Sequence, residues 1–236
     1  MIVTPRIVAR LAADVVGSAG HVAGVDLNAG MIAMARSQPA SSGARVEWCE
    51  GDVTALPSND ATFDVLFCQQ GFQFFPDKAH ALRDMYRVLI PGGRLALSVW
   101  RSIPYNPYLR ALPDALERHV SPEVATSMHA VCGLGDAEAL RALLTESGFR
   151  NVRIHVVILT MQHPSPAAFI PGPLSALPFA GARQALAPEA QAALVNHIVE
   201  TLQPYTDDEG LAVPMEAHIA IACYCSAWGR SMSSEE

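Results

Sequence analysis

The stretch HVAGVDLNAGMIAMAR, residues 21–36, decides the fold. Its first part, His21–Asp26, is mostly apolar and too short for a helix, which predicts a buried strand. Asn28 can cap the segment that follows, so a helix is predicted from Ala29 to about Ser37. A buried strand that leads directly into a helix is the first half of a βαβ unit.

The same pattern continues toward residue 100. Three further strands are predicted from their apolar content: Arg45–Glu50, Phe63–Cys68 and Arg94–Trp100. Asp77 caps a predicted helix that ends at Leu89, and Pro91-Gly92-Gly93 is predicted as a turn. Strands that alternate with helices predict an α/β fold, Rossmann-like, with a mostly parallel sheet and helices on both faces.

The flanking segments complete a single predicted domain, residues 1–236. A helix is predicted from Pro5 to Val16, and residues 5–100 are expected to form the ligand-binding core. A helical insertion follows the fifth strand, with helix starts at Asn106-Pro107 and Ser121-Pro122, so residues 101–135 and 163–205 are expected to cover the site. The remaining predicted elements are a helix at Asp136–Ser147, a strand at Val152–Met161, a helix at Pro188–Leu202 and a last strand within Leu211–Trp228.

Composition excludes several classes of protein. The net charge is −7, with 16 Lys and Arg against 23 Asp and Glu, so we expect no nucleic-acid partner, because phosphate binding needs a basic patch. No uncharged apolar run is long enough for a membrane span. The 5 cysteines fit no zinc spacing, so we expect no metal and a reducing, cytoplasmic location.

Polar residues follow three of the predicted strands. Ligands of open parallel sheets bind beyond the carboxyl ends of the strands. Asp26 ends the first of these strands, and its carboxylate can accept both hydroxyls of a ribose. Asp52 follows the next and could accept from the amine of adenine, while the amide of Val53 donates to a ring nitrogen; Gln69 would line the floor. Each signal is weak alone, since an Asp at a strand end is more often a helix cap.

Four motifs in this order resemble a known family. They are VDLNAGMIAMAR (Val25–Arg36), CEGDVTALP (Cys49–Pro57), FDVLFCQQGFQFFPD (Phe63–Asp77) and MYRVLIPGGRLALSVW (Met85–Trp100). Together they resemble the core of class I S-adenosylmethionine (SAM)-dependent methyltransferases that act on small molecules, and are similar to the ubiquinone/menaquinone C-methyltransferase branch. The resemblance is close over Ile7–Trp100 and elsewhere concerns architecture only.

The resemblance implies a SAM site and an antiparallel last strand, near Ile219–Ala227. It places Asp26 at the ribose, with Leu27 beside it, and Met31 against the adenine. It places Asp52 and Val53 at the adenine edge and Gln69 beneath the cofactor.

One part of the family pattern is missing. The family begins with a strand that ends in a glycine-rich loop, whose backbone contacts the methionine part of the cofactor. Thr4, Pro5 and Arg6 stand where that loop should lead into the helix. We therefore expect a missing or reduced first strand, a chain truncated before or within this motif, and weak SAM binding. Two or three lost hydrogen bonds would cost about 3–6 kcal/mol.

Methyl transfer requires positioning more than acid–base catalysis, so no obligatory catalytic residue is expected. The polar candidates near the acceptor, a small molecule, are Gln70, Gln73, His80 and Tyr105; His80 is more often an exposed helix residue. The alternative is a non-catalytic binding or partner module, favoured by the missing glycine loop. An NAD(P) oxidoreductase is disfavoured by the GD and PGG segments, and a hydrolase by the lack of a GxSxG elbow. The acceptor, the methylated atom and the oligomeric state stay open.

Overall fold

The computed structural model describes residues 2–3, 7–38, 43–174 and 180–225. The chain divides into two compact units, each described by itself. The first, called the sheet unit, comprises residues 1–99, 136–155 and 218–236. The second, called the helical unit, comprises residues 100–135 and 156–217.

The strands form an α/β sheet, as the sequence predicts. Their order is β3-β2-β1-β4-β5-β8-β6, and β7 pairs with β8. The strand bounds are β1 Ile2–Val3, β2 Val22–Asp26, β3 Val46–Glu50, β4 Phe63–Gln69, β5 Leu89–Trp100, β6 Arg150–His163, β7 Thr206–Asp207 and β8 Gly210–Cys223. The neighbouring pairs from β3 to β5 are parallel.

The centre of the parallel part is the two-residue strand β1. Ile2 and Val3 pair with β2 on one side and with β4 on the other. Thr4, Pro5 and Arg6, on which the expectation of a missing glycine-rich loop rests, lie outside the described residues.

The last strand, β8, runs antiparallel to β5. Gly92 N, near the start of β5, donates to Tyr224 O at 2.8 Å, whereas Arg101 N, directly after β5, donates to Glu216 O at 3.0 Å. The bonded residues near β8 thus come earlier in the sequence as β5 advances, which is the pattern of antiparallel strands. The predicted turn at Pro91-Gly92-Gly93 is wrong, because these residues lie inside β5. Gly92 has a φ of +86°, and the β4–β5 register shifts between Phe63 and Val65, so the segment forms an irregularity within the strand.

The helices begin where the sequence places their caps. Side chains of Asn28, Asp77, Ser121 and Asp136 each accept from a backbone N–H in the first turn. The helix bounds are α1 Ile7–Val16, α2 Ala29–Ser37, α3 Lys78–Val88, α4 Pro107–His119, α5 Pro122–Val131, α6 Ala137–Glu146, α7 Pro166–Phe169, α8 Pro171–Leu174, α9 Ala180–Gln184 and α10 Pro188–Thr201. Within the described ranges, none of these helices is long and apolar enough to cross a membrane.

Each unit has an apolar core of its own. In the sheet unit, Ala9 and Ala13 of α1 pack against Val22 of β2. Gly24 of β2 lies opposite Trp48 of β3, and a Cβ at Gly24 would come within 2.3 Å of the indole, so a side chain is excluded there. In the helical unit, the core consists mainly of buried residues of α4, α5, α10 and β8, including Leu112, Leu116, Ile198 and Val213.

Candidate functional site

Strands β2, β1 and β4 end level with one another. Val3 pairs with Val25 of β2 and with Cys68 of β4, so Asp26 and Gln69 each lie one residue beyond the last pairs of β1. Adjacent strands are about 4.8 Å apart, which separates β2 from β4 by about 10 Å. The carboxyl ends of the strands predicted to bind the ligand therefore lie at one edge of the sheet.

Asp26 is held by the loop that follows it. Its Oδ1 accepts a hydrogen bond from Asn28 N at 2.8 Å, and Asn28 in turn caps α2. The side chain is half-buried, and no described residue donates to Oδ2. The carboxylate is thus fixed in orientation and keeps an oxygen that can accept from a ligand hydroxyl.

The loop after β3 is joined to the end of β2. Gly51 N donates to Asp26 O at 3.1 Å. Asp52 is exposed and caps the 3-10 turn Val53–Ala55, its Oδ1 accepting from Thr54 N and Thr54 Oγ1 at 2.8 Å each. These hydrogen bonds, from the backbone first, lower the pKa of Asp52 below its usual value. Asp52 is therefore an ionised cap, and Val53 behind it is buried.

Arg87 of α3 fastens the segment after that turn. Its guanidinium donates to both oxygens of Asp84 at 2.6 and 3.0 Å, to Ser58 O at 2.8 Å and to Leu56 O at 3.1 Å. Asp84 Oδ2 also accepts from Leu56 N at 2.6 Å. Burial opposes the charge of Asp84, but the hydrogen bonds from Arg87 and Leu56 outweigh it and lower the pKa of Asp84.

Replacing Arg87 with methionine should therefore lower the free energy of unfolding by about 1–3 kcal/mol, since it leaves the half-buried Asp84 carboxylate without its cation. Urea unfolding followed by circular dichroism measures the change. The matched control is Arg83→Met on the exposed side of the same helix, which should change stability by less than about 0.5 kcal/mol. Equal losses in the two variants would contradict the role given to Arg87.

The other predicted cofactor residues differ in exposure. Met31, in the first turn of α2, is half-buried. Gln69 is exposed at the end of β4, and Leu27 is 71% exposed. Leu27 therefore contributes an accessible apolar surface beside Asp26 rather than a packed one.

Two glutamines follow β4 in an unusual state. Gln70 has a φ of +52°, a left-handed conformation that is uncommon for residues other than glycine and clusters at functional sites. Gln73 is only 4% exposed, and none of the residues that the structure describes hydrogen-bonds to its side-chain amide. Oε1 of Gln70 is also buried without a described partner. Each such group costs about 1–3 kcal/mol, which calls for an explanation.

The last two predicted acceptor residues lie in different units. His80 is an exposed residue in the first turn of α3, where its backbone N–H is capped by Asp77. Tyr105 belongs to the helical unit and is 47% exposed.

Tyr105 packs against Arg101, which belongs to a hydrogen-bonded group of residues that local sequence patterns do not predict. The guanidinium of Arg101 lies 3.6 Å from the centre of the Tyr105 ring and forms an ion pair with Glu216. Asn106, fully buried, donates through Nδ2 to Arg101 O and Glu216 O at 3.1 Å each and accepts from Glu216 N at 2.8 Å. The sequence correctly places a helix start at Asn106, but its side chain forms no cap and joins β5 to β8 instead.

A metal centre finds no support in the structure. Among the described ranges, no three His, Cys, Asp or Glu side chains are grouped so that they could hold a metal ion.

Comparison with known proteins finds similarity to methyltransferases over part of the chain. Residues 6–97 match a family described as a methyltransferase domain. The chain is 33% identical over 153 residues to a ubiquinone/menaquinone biosynthesis C-methyltransferase of Cronobacter sakazakii, over 59% of this chain and 61% of that protein. It is 36% identical over 146 residues to an arsenite methyltransferase of Halobacterium salinarum, over 61% of this chain and 34% of that protein. The chain thus spans less than two thirds of either relative.

A solved structure shares the fold. The arsenic(III) S-adenosylmethionine methyltransferase of Chlamydomonas reinhardtii matches with a TM-score of 0.51 and 19% identity, covering 97% of this chain and 64% of that one.

Proposed function

We propose that this chain is a class I SAM-dependent methyltransferase and transfers a methyl group to a small-molecule acceptor at the carboxyl edge of β2, β3 and β4. The match of residues 6–97 to a methyltransferase domain supports this proposal. The observation that carries the proposal is the level placement of Asp26 and Gln69 on either side of β1, with the buried Gln73 amide, which has no hydrogen-bond partner among the described residues, four residues beyond Gln69.

The residues at this edge fit the adenosyl part of SAM. Asp26 offers an oriented carboxylate oxygen to vicinal hydroxyls, and charge-assisted hydrogen bonds of this kind are about twice as strong as neutral ones. Met31 offers apolar surface to a flat base, the backbone amide of Val53 is the expected donor to a ring nitrogen, and the ionised Asp52 is an acceptor at the rim of the base. When bound, SAM supplies an electrophilic methyl group on a sulfonium, so the protein needs to align the acceptor more than to activate it.

The acceptor half of the proposal rests on Gln70 and Gln73. A buried amide without a partner among the described residues is suited to a ligand that supplies both a donor and an acceptor. Phe72, which precedes Gln73 in the sequence, is also fully buried. His80 and Tyr105 remain secondary candidates because they are exposed. The net charge of −7 supports a small molecule rather than nucleic acid as the acceptor.

The proposed function is tested by titrating SAM into the full chain and by measuring S-adenosylhomocysteine release with defined acceptors. The named relatives suggest two probes, a short-chain benzoquinol or naphthoquinol and arsenite. Saturable SAM binding with turnover of a probe supports the enzyme. If SAM binds saturably but S-adenosylhomocysteine is released no faster than without protein, both acceptors are rejected. If no SAM binds at millimolar concentration, the proposal itself is rejected.

Replacing Gln73 with leucine separates a functional role of this side chain from a structural one. The change removes two buried atoms without described partners and keeps a similar volume, so we expect the melting temperature to rise by about 2–8 °C. We also expect turnover of the accepted probe to fall at least about tenfold, equivalent to 1.4 kcal/mol. Thermal unfolding measures the first effect, and the rate of S-adenosylhomocysteine release measures the second.

The control is Gln162→Leu, an exposed position on β6. This variant should leave turnover unchanged. A Gln73→Leu protein that is less stable, or equally active, would show that the amide is structural.

A further inference from the structure

The helical unit contains a chain of ionisable side chains that the proposed function does not use. His197 of α10 lies between two residues of α4. Its Nε2 is 2.9 Å from Asp114 Oδ2, and its Nδ1 is 3.2 Å from His119 Nε2. The two imidazole rings are nearly perpendicular, at 84°. The side chain of His197 is only 15% exposed, whereas that of Asp114 is 69% exposed, so the link is shielded from solvent at its histidine end only.

The hydrogen bonds among these three side chains determine which ring nitrogens carry a proton when both imidazoles are neutral. Asp114 is ionised and can only accept, so His197 must carry its proton on Nε2. The Nδ1 of neutral His197 is then an acceptor, and His119 must donate from Nε2. Every nitrogen between the two helices is thus satisfied when both imidazoles are neutral.

A single added proton is compatible with the same bonds. If it binds His119 at Nδ1, Nε2 continues to donate to His197. If it binds His197 at Nδ1, that nitrogen donates to Nε2 of the other tautomer of His119, and the cation faces Asp114. A second proton is not compatible, because two N–H groups would then point at each other across 3.2 Å with like charges behind them.

We propose that Asp114, His197 and His119 form a pH-sensitive latch between α4 and α10, closed with at most one excess proton on the two imidazoles and open when both are protonated. The two helices pack directly against each other. Opening would therefore weaken their packing.

The surroundings favour the neutral form of His119. Burial lowers its pKa, and the charges of His197 and Arg118 lower it further, while Asp114 opposes them. Arg118 Nη2 is itself 3.9 Å from Asp114 Oδ2, so this carboxylate faces both Arg118 and His197. The other charged groups on α4, α10 and the adjoining α5 are exposed: Arg110, Glu117, Glu123, Glu189 and Glu200; His129 is also on α5.

The lowered pKa of His119 determines how the stability of the protein changes with pH. A histidine whose pKa is lowered by folding takes up its proton more readily in the unfolded chain. Its stabilising contribution is therefore fully present above the ordinary histidine pKa of about 6.5 and is lost as the pH falls below it.

The test compares melting temperatures of the full chain between about pH 7.5 and pH 5.5. His119→Gln keeps an amide N–H in place of Nε2 but cannot titrate, and His155→Gln is the control because His155 is exposed on β6. We expect the wild type and His155→Gln to lose about 2–4 °C more than His119→Gln over this range. Equal losses in all three proteins would overturn the proposal.

Nuclear magnetic resonance of the histidine ring nitrogens provides a second measurement on the wild type. The proposal expects His119 and His197 to take up protons in two coupled steps, one of them below the ordinary histidine pKa of about 6.5, and expects His119→Gln to change the response of His197 to pH. Two independent steps near that ordinary value would refute the latch even if a variant failed to fold.

Discussion

Asn106→Ala is expected to lower the free energy of unfolding of the helical unit by about 2–6 kcal/mol. The side chain is fully buried and makes three hydrogen bonds to the backbone of Arg101 and Glu216. Alanine leaves Glu216 N and Arg101 O without this partner, and each such buried group costs about 1–3 kcal/mol. Urea unfolding followed by circular dichroism should show a lower midpoint.

The control for this prediction is Asn196→Ala, at an exposed position of α10. That change should be neutral or slightly stabilising, because alanine has the higher helix propensity. If Asn106→Ala is also neutral, the contact between β5 and β8 does not depend on this amide.

Local sequence patterns predicted most elements of the sheet unit. The strand at His21–Asp26, the cap at Asn28 and the helix from Ala29 depend on neighbouring residues, and the structure reproduces them within one residue. Pro91-Gly92-Gly93 was different, because its composition is typical of turns. Pairing with Tyr224, more than 130 residues later, keeps it within β5 despite the left-handed Gly92, and no local pattern carries that information.

The candidate site was predictable only in part. Asp26 and Asp52 follow strands, so the rule that ligands bind at carboxyl edges was enough to select them. The burial of Gln73 and the contacts among Arg101, Glu216 and Asn106 depend on segments that are distant in the sequence. Arg101 and Glu216, for example, are 115 residues apart. The expected loss of the glycine-rich loop concerns residues outside the described ranges and stays a prediction.

Asp26→Asn is expected to weaken SAM binding by about 10–100-fold. Asparagine has the same shape and its amide oxygen can still accept from Asn28 N, so the loop after β2 should keep its conformation. What disappears is the charge that strengthens hydrogen bonds from hydroxyls, worth about 1.5–3 kcal/mol for a bond to a charged group. At 1.4 kcal/mol for each factor of ten, the expected range follows. Calorimetric titration of SAM measures it.

Asp64→Asn is the matched control, since Asp64 is exposed near the amino end of β4, away from the edge that carries Asp26. It changes the net charge of the chain by the same amount, so any general electrostatic effect on SAM binding appears in both variants. A specific role for Asp26 requires a loss in Asp26→Asn with wild-type affinity in Asp64→Asn. The same affinity in all three proteins would mean that the ribose hydroxyls are bound elsewhere, and equal losses would point to net charge rather than to a hydrogen bond at the end of β2.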